Sequence, residues 1–545
     1  MVDTLAQRAE ATASHATLLE RVERLSAIGI ALSRERDTDR LLETILEGAK
    51  ALTRADAGTL YLRQGDELVF STVRNDTLGF RMGGTAGPEP DFPPLPLHID
   101  GEPNRHNVAA WAAISGETVN VTDAYTAEEF DFSGARSMDE RTGYRSTSFL
   151  TVPLTNHEDE VVGVLQLINA LDEGGAVIPF GPEEQRLAES LASQAGVALT
   201  QKQLIDDQRR LFESFVEVIA NAIDHKSKHT SGHCQRVPQL TMMIAEATNR
   251  AEQGPMADFS MDEDELYELK IAGWMHDCGK VTTPEPVIDK ATKLDGMFDR
   301  IHAVDARFEV ARRDAENAAL RRRLAAAGLD DGLDAEGDAA VAAVDADRDF
   351  VRRHNTGGEF MDPEDQQRIR DIAERYRLTL AGEERPLLDE DEVYNLTIAK
   401  GTLTPEERKT IQDHIVVTIE MLEALPYPRY LQRVPELAGG HHERMDGKGY
   451  PRGLTGDQML PGARMMAIAD IFEALTAADR PYKRPNTLTE ALTILGRMAT
   501  EGHLDPDLFD TFIREGVYLD YARQFLKPEQ IDEVDLAAIP GYAGE

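Results

Sequence analysis

The sequence predicts a multidomain protein in which an α+β domain with an antiparallel sheet is joined by a long helix to an all-α domain carrying a helical insertion. The chain of 545 residues is too long for one ordinary core. Its first third mixes helical and strand-like patterns, and a long helical pattern follows. The predicted parts are an N-terminal tail at 1–16, the α+β domain at 17–181, the connecting helix at 182–222, and the all-α domain at 223–545 with its insertion at 293–394.

The α+β domain begins with apolar residues at helical spacing from 17 to 54, which predict an amphipathic helix. Strand-like segments follow in two pairs, separated by a proline-rich loop. These segments lie at 58–62, 67–72, 148–154 and 161–169. Helix, strands, long loop and strands in this order are typical of an α+β domain with an antiparallel sheet.

The connecting helix contains one helix-breaking residue, Gly196, and its apolar residues are flanked by charge. The apolar stripe consists of Leu187, Leu191, Leu204, Leu211, Phe215 and Ile219. Such a stripe favours a parallel coiled coil between two copies of the chain, so we expect a homodimer. The alternative is a monomeric helix that packs on its own domains.

The insertion at 293–394 starts with apolar residues at helical spacing, among them Leu294, Phe298 and Ile301. It continues into an alanine- and aspartate-rich stretch at 325–349, whose composition is typical of a linker. The insertion has no motif that indicates chemistry.

Charge and hydropathy limit the classes of function and location. The net charge of −40, from 58 basic and 98 acidic residues, would repel a nucleic-acid polymer over most of the surface. The sequence has neither an apolar run long enough to cross a bilayer nor a signal-peptide pattern at its start, so we expect a cytoplasmic protein with no membrane partner. A small anionic substrate would need a locally positive pocket, which metal ions can supply.

Helical patterns in the second domain place histidines on apolar faces. His276 shares a face with Leu269 and Gly273, and Asp277 follows at the end of that helix. The segment from Thr404 begins with a capping box and predicts a single helix. Its inward side carries Ile411, His414, Thr418, Met421 and Leu422.

Asp470 lies in a segment, 463–475, that is apolar on almost every side. A buried carboxylate is unfavourable by several kcal/mol unless it is paired or bound to a metal, so Asp470 requires a partner. Taken singly, Asp470 fits a cap on a neighbouring helix, and each histidine fits a core residue with one hydrogen bond.

Together, these residues form a set of candidate metal ligands without a thiolate: His233, His276, Asp277, His414, His441, His442 and Asp470. Nitrogen and oxygen ligands with a bridging carboxylate suit iron or manganese in a paired site better than structural zinc. Two metal ions close together activate water at neutral pH and stabilise charge on a phosphoryl group. Hydrolysis of a phosphodiester is the chemistry that this set favours.

The first domain resembles a GAF domain, the small-molecule sensor fold, through the segments 142–148, 152–154 and 163–169. The family signature is partly present, as Asn169, Ala170, Phe180 and Glu184. The resemblance therefore implies the fold and an unidentified small-molecule ligand more than it implies cyclic-nucleotide binding. The alternative is a GAF domain that only dimerises or packs.

The second domain resembles the HD-GYP family of phosphodiesterases, from about 223 to 510 apart from the insertion. The matching motifs, in order, lie at 230–233, 276–280, 441–451, 469–476 and 480–483. The resemblance implies hydrolysis of cyclic di-GMP to linear pGpG, to GMP or to both, regulated by the GAF domain. It also implies two or three divalent metal ions, most simply Fe or Mn.

The resemblance implies a role for each candidate ligand. One metal ion would be held by His233, His276, Asp277 and Asp470, and a second by His414, His441 and His442, with Asp277 bridging the two. His229 occupies the position of a glutamate that ligates a third metal in some members of the family, so it is a further possible ligand.

The resemblance also implies substrate contacts. Lys280 would act in catalysis beside Asp277 and reach a substrate phosphate, and Arg444 is a second candidate for that anion. Tyr450 would place a guanine base or order its loop, and Gly447 and Gly449 would allow a tight backbone path. For Arg444 and Tyr450, contacts within the loop are the equal alternative.

Two other functions remain open on sequence alone. The domain could hydrolyse another cyclic dinucleotide or a nucleotide monophosphate ester. It could also bind a cyclic dinucleotide without hydrolysing it, although loss of ligands would be expected in such a receptor and every principal ligand is present.

Overall fold

A computed structural model describes residues 21, 23–35, 37–85, 87–226, 232–325, 335–357, 360–380, 382–478 and 485–542. The chain divides into two compact units, Met1–Leu211 and Phe212–Glu545. Within the described residues, every helix is too short or too polar to span a bilayer.

The N-terminal unit is built on an eight-stranded antiparallel sheet. Its central strands run in the order β3-β2-β1-β9-β8-β7, with β4 beside β2 and β10 beside β9, and β5 pairs with β6 as a separate hairpin. The strands are β1 (Ala55–Gln64), β2 (Glu67–Asn75), β3 (Phe80–Met82), β4 (Leu95–Pro96), β5 (His98–Ile99), β6 (Glu102–Pro103), β7 (Val119–Val121), β8 (Phe149–Thr155), β9 (Val161–Leu171) and β10 (Val177–Ile178). The predicted antiparallel α+β fold is confirmed.

Helices pack on both faces of this sheet. They are α1 (23–34), α2 (Thr38–Thr53), α3 (Val108–Ser115), α4 (Ser133–Thr142) and α5 (Pro182–Lys226). Leu60 and Leu165 face the core that α2 shares with the first part of α5. Tyr61 follows Leu60 in β1, and Val164 precedes Leu165 in β9. These two residues belong to a second core, which includes α3. This alternation follows from the two-residue period of a strand.

The prediction of one helix over 17–54 is wrong in the described part, because α1 and α2 are separate. Asp37 has an extended backbone, with φ −84° and ψ 126°, and its carboxylate accepts a hydrogen bond from the Arg40 N–H. A capping aspartate satisfies the free N–H groups of a new helix and so interrupts the pattern. Residues 17–20, 22 and 36 lie outside the described residues.

Helix α5 is continuous over 45 residues, as predicted. Gly196 is needed for packing, since a Cβ atom there would lie 2.2 Å from the Thr155 carbonyl oxygen. The predicted apolar stripe has two environments. Leu187 and Leu191 are buried in the N-terminal unit, whereas the later members, Leu204, Leu211, Phe215 and Ile219, are exposed.

The insertion has a hydrophobic core of its own, which includes Leu294, Phe308, Phe350 and Leu396. The helices that precede it are α6 (His233–Arg250), α7 (Glu263–Met275) and α8 (Glu285–Ile288). The insertion itself contains α9 (Ile301–Ala325), α10 (Ala335–Asn355), α11 (Pro363–Arg375), the hairpin β11 (Arg377–Leu380) and β12 (Glu383–Pro386), and α12 (Glu390–Leu396).

The linker-like prediction for 325–349 is therefore wrong from Ala335 onward, where the stretch is helical; 326–334 lie outside the described residues. One of its aspartates, Asp347, is buried and accepts hydrogen bonds from Arg375 and Tyr376, 2.7 and 2.9 Å away. The charge that suggests a linker is thus neutralised by residues later in the chain.

The remaining helices complete an all-α domain, as predicted. They are α13 (Pro405–Gln412), α14 (His414–Glu423), α15 (Val434–Gly439), α16 (Pro461–Thr476), α17 (Leu488–Thr500), α18 (Pro506–Arg514) and α19 (Val517–Phe525). Helices α6, α7 and α16 share one core, in which Leu240, Leu269 and Phe472 are fully buried. The candidate ligands lie at the ends of these helices or, for Asp470, on an inward face.

Candidate metal centre

Three histidines of the C-terminal unit have the same local geometry, because the Nδ1 atom of each faces the backbone carbonyl three residues earlier. His276 lies 2.7 Å from the Gly273 oxygen and His441 lies 2.6 Å from the Ala438 oxygen. His414 makes the same contact with Ile411. A carbonyl can only accept, so each Nδ1 carries the proton and each Nε2 presents a lone pair.

These lone pairs point into one buried space. The Nε2 atoms of His276, His414 and His441 and the Oδ1 atom of Asp277 are buried without a hydrogen-bond partner. His276 Nε2 lies 3.2 Å from Asp277 Oδ2, and His414 Nε2 lies 3.2 Å from Asp277 Oδ1. Lone pairs that face each other at this separation leave buried polar atoms unsatisfied unless a cation lies between them. The donor set therefore fits a metal ion.

The ligand atoms form two groups, His233 with His276 and Asp277, and His414 with His441 and His442. Within each group the atoms lie within 4.8 Å of one another. Asp277 faces both groups, since its Oδ2 atom lies 3.3 Å from His233 Nε2 and its Oδ1 atom faces His414. A carboxylate that directs one oxygen to each group has the geometry of a bridging ligand.

Asp470 adds a second carboxylate to the first group. It projects from α16, and its Oδ1 atom lies 3.3 Å from His233 Nε2. Burial alone would raise the pKa of Asp470, but the hydrogen bond from His233 and the positive charge of that histidine hold it well below the usual range. Asp470 is therefore an ionised, partly buried carboxylate with His233 as its partner.

Burial has the opposite consequence for the second group. It lowers the pKa of His441 well below its ordinary value and that of His442 to about 4. Both imidazoles are thus neutral at neutral pH, the form that coordinates a metal ion. The His442 ring also stacks on Tyr450, with ring centroids 4.8 Å apart.

The helix predicted to carry His414 is interrupted, which corrects that prediction. The capping box of Thr404 and Glu407 starts α13, but Asp413 ends it and His414 is the first residue of α14. The prediction that Met421 points inward is also wrong, because this side chain is exposed. The inward direction of His414 itself is as predicted.

Gly279 fixes the Asp277 turn against α14. Its N–H donates to Thr418 Oγ1 at 2.9 Å, and a Cβ atom at this position would lie 1.9 Å from the His414 carbonyl oxygen. The glycine after the His-Asp pair therefore allows the two groups of ligands to approach each other.

The segment 441–456 is held by its own contacts. Glu443, which is 1% exposed, accepts hydrogen bonds from the backbone N–H groups of Arg452 and Leu454 at 2.7 and 2.9 Å. Gly447 has φ 74°, and a Cβ atom at Gly449 would lie 2.4 Å from Glu443 Cα. Both glycines are thus required by the backbone path.

The predicted substrate-binding side chains have partners within the protein. Lys280 Nζ lies 2.5 Å from Asp277 Oδ2. Arg444 makes a bidentate pair with Asp446, at 3.0 and 2.9 Å. Lys280 thus lies beside the two groups, and Arg444 is engaged inside its loop. Their contacts with a substrate stay predictions.

The structure adds two residues to which the sequence analysis assigns no role. Glu473, on α16, lies with its Oε2 atom 2.5 Å from His233 Nδ1, and Arg236 pairs with the same carboxylate at 2.7 Å. Glu473 lies three residues after Asp470 and therefore on the same face of a mainly apolar helix. A second carboxylate on the inward face of this helix is the feature of the sequence that could identify Glu473.

Some predicted elements lie outside the described residues. His229, the possible ligand of a third metal, is one of them, together with residues 230 and 231 of the first motif and 480–483 of the last. The two cysteines, Cys234 and Cys278, are buried free thiols near the ligands.

Comparison with known proteins gives two domain matches. A model described as GAF domain matches residues 37–199, and one described as HD domain matches 391–508. The GAF match covers the antiparallel sheet, helices α2, α3 and α4, and the first part of α5. The HD match includes His414, His441, His442 and Asp470. These matches confirm the resemblance of the first domain to a GAF domain and of the second to an HD domain.

Curated relatives carry the names of phosphodiesterases. A probable cyclic di-GMP phosphodiesterase of Vibrio cholerae is 37% identical over 141 residues, covering 25% of this chain and 32% of that protein. The 3'3'-cGAMP-specific phosphodiesterase 1 of the same organism is 48% identical over 81 residues, covering 15% and 19%. The cyclic di-GMP phosphodiesterase response regulator RpfG of Xanthomonas campestris is 38% identical over 121 residues, covering 22% and 31%.

The matched segments thus span about a third or less of the length of these relatives. The chain therefore contains one segment that matches a GAF domain and one that matches an HD domain, and it is similar to curated proteins named cyclic di-GMP phosphodiesterases.

Proposed function

We propose that this chain is a metal-dependent phosphodiesterase that hydrolyses cyclic di-GMP to pGpG, to GMP or to both. The observation that carries the proposal is the position of Asp277, whose two oxygens face two groups of imidazoles with unsatisfied Nε2 atoms. The names of two relatives support the substrate, because both are cyclic di-GMP phosphodiesterases.

In this proposal the first group of ligands and Asp470 hold one divalent ion, Asp277 bridges, and the second group holds another, with Fe or Mn as the ions. Two such ions, when bound, activate water and stabilise charge on the phosphoryl group. The protein orients the ligand atoms through the three Nδ1–carbonyl bonds and the Glu473 contact with His233. Lys280, beside Asp277, would reach a substrate phosphate as a point charge.

A second substrate is favoured by one observation, the 48% identity over 81 residues to a phosphodiesterase specific for 3'3'-cGAMP. That compound differs from cyclic di-GMP in one base, so the same metal groups would serve both. Discrimination would depend on side chains that contact the base, for which Tyr450, stacked on His442, is the candidate.

The test is hydrolysis by the full chain, loaded anaerobically with Fe²⁺ or Mn²⁺. We expect release of pGpG or GMP from cyclic di-GMP, and a parallel assay with 3'3'-cGAMP ranks the two substrates by kcat/KM. Binding of cyclic di-GMP without cleavage under both metals would contradict the proposal and favour a receptor.

We also propose that the chain acts as a homodimer through α5, so that the GAF domain can regulate the HD domain. Every seventh residue from 197 to 218 is apolar, namely Val197, Leu204, Leu211 and Val218. These side chains are 48 to 63% exposed, so the stripe has no partner among the residues that the structure describes. A second copy of α5 would bury it in a parallel coiled coil.

Leu211→Glu is expected to weaken this dimer by about 100-fold or more. Burying one leucine is worth about 1.5–3 kcal/mol, and the symmetric dimer loses two of them. Analytical ultracentrifugation measures the dissociation constant. The matched control is Leu324→Glu, a leucine that is 72% exposed in the insertion. A monomeric wild-type chain, or equal dissociation constants for both variants and wild type, would contradict the dimer.

A further inference from the structure

The N-terminal unit contains a cavity of about 480 Å³ between its sheet and α4. Its walls come from β1, β2, β8 and β9 and from the start of α3, and its lining includes Thr59, Val73, Asn107, Ala135 and Ile168. A volume of this size accommodates a small organic molecule. None of the metal ligands lies in this unit.

Aromatic rings form much of the wall. Tyr61 and Phe70 lie with ring centroids 4.8 Å apart, and Phe92 lies 5.0 Å from Phe70. Phe132 and Phe149 form a second pair 4.9 Å apart on the side of α4. Rings in such arrangements offer faces and edges to a flat aromatic ligand, whose burial is favourable in proportion to its area.

The polar side chains in the wall are already hydrogen-bonded within the protein. Gln166 accepts from the Tyr61 hydroxyl at 3.2 Å and donates to Thr151 Oγ1 at 3.3 Å. Asn107 accepts from the backbone N–H groups of Ala109 and Ala110. The side-chain oxygens of Gln166 and Asn107 are thus already engaged within the protein.

Charge in the wall opposes an anion. Arg74 is the one lysine or arginine among the described residues that line the cavity, and its guanidinium lies 2.7 Å from Glu43 Oε1. The same guanidinium donates to the backbone oxygens of Met82 and Gly83. Asp131 Oδ1 accepts from the Ser133 N–H at 2.8 Å, so a carboxylate already occupies the start of α4. A ligand phosphate would meet acidic side chains and no available cation.

We propose that this cavity is the ligand site of the GAF domain and that its ligand is an uncharged, flat aromatic molecule of about two or three rings. Such a cavity disfavours cyclic nucleotides, because among the described residues its wall offers a phosphate the carboxylates of Asp131 and Asp139 and only the already paired guanidinium of Arg74. The inference concerns the N-terminal unit alone and does not rest on the phosphodiesterase activity.

The test is a thermal-shift titration of the full chain with flavone and indole as neutral probes, and with cyclic AMP, cyclic GMP and cyclic di-GMP as anionic ones. At saturation, a neutral probe is expected to raise the melting temperature of the N-terminal unit by about 5 °C. Cyclic AMP and cyclic GMP are expected to leave it unchanged. Any effect of cyclic di-GMP is expected to be abolished by Asp277→Ala, which alters only the C-terminal unit.

Two substitutions locate the binding. Ile168→Trp and Ala135→Phe each fill the cavity from a different wall, so one remains informative if the other fails to fold. Each is expected to remove the shift caused by the neutral probe. The control is Ile178→Trp, on an exposed strand outside the cavity, which is expected to retain it. A shift with cyclic AMP or cyclic GMP, no shift with either neutral probe, or a shift that both filling variants retain would overturn the proposal.

Discussion

Asp277→Ala is expected to reduce hydrolysis of cyclic di-GMP by at least about 10³-fold while the protein stays folded. Its Oδ1 and Oδ2 atoms face different groups of histidines, so its loss removes a carboxylate that contacts both. Bound metal is expected to fall in parallel, and metal analysis of the purified variant measures it independently of activity.

The control for this variant is Asp258→Ala, which removes an exposed aspartate of the same unit. It is expected to keep both activity and metal content. Circular dichroism of the two variants separates loss of the site from loss of the fold. An Asp277→Ala protein that binds the wild-type amount of metal and hydrolyses the substrate at the wild-type rate would disprove the bridging role.

Glu473→Gln is expected to weaken metal binding by about 10- to 100-fold. The carboxylate accepts from His233 Nδ1 and pairs with Arg236, so it orients the imidazole and increases its basicity. The amide keeps the shape of the side chain and removes the charge. Burial raises the pKa of Glu473, but the contacts with His233 and Arg236 lower it to about 2, so the wild-type group is ionised when the metal binds.

The measurement for the Glu473 variant is metal affinity, determined by competition with a chelator. A residue that acts through His233 is expected to change metal affinity more than it changes kcat. At saturating metal, kcat is expected to recover most of its wild-type value. Glu436→Gln, on the exposed side of α15, is the matched control. Unchanged affinity in the Glu473 variant would show that its contact with His233 has no role in holding the metal.

The sequence predicts which face of a helix or strand is buried better than it predicts where a helix is interrupted. Alternation along β1 and β9 identifies strands because each side chain occupies one of two opposite faces. The same reasoning identifies the inward direction of His276 and His414. It does not detect that Asp37 caps the start of α2 or that α13 ends at Asp413, because each aspartate is compatible by spacing with one longer helix.

Contacts between residues far apart in the chain account for the other differences between the predicted and the observed structure. Asp347 suggests a linker until Arg375 and Tyr376, which follow almost thirty residues later, neutralise it. Glu473 finds its partner His233 at a separation of 240 residues. The proton positions that leave three Nε2 atoms without a partner depend on carbonyl contacts at helix ends, which spacing alone does not specify.

We propose that each chain binds two metal ions and that Asp277 is a ligand of both. Anaerobic titration of the full chain with Mn²⁺, followed by metal analysis and electron paramagnetic resonance, measures the number of ions and the coupling between them. We expect two ions per chain with a magnetically coupled signal, and loss of the coupling in Asp277→Ala. Saturation at a single ion per chain, or two ions without coupling, would contradict it.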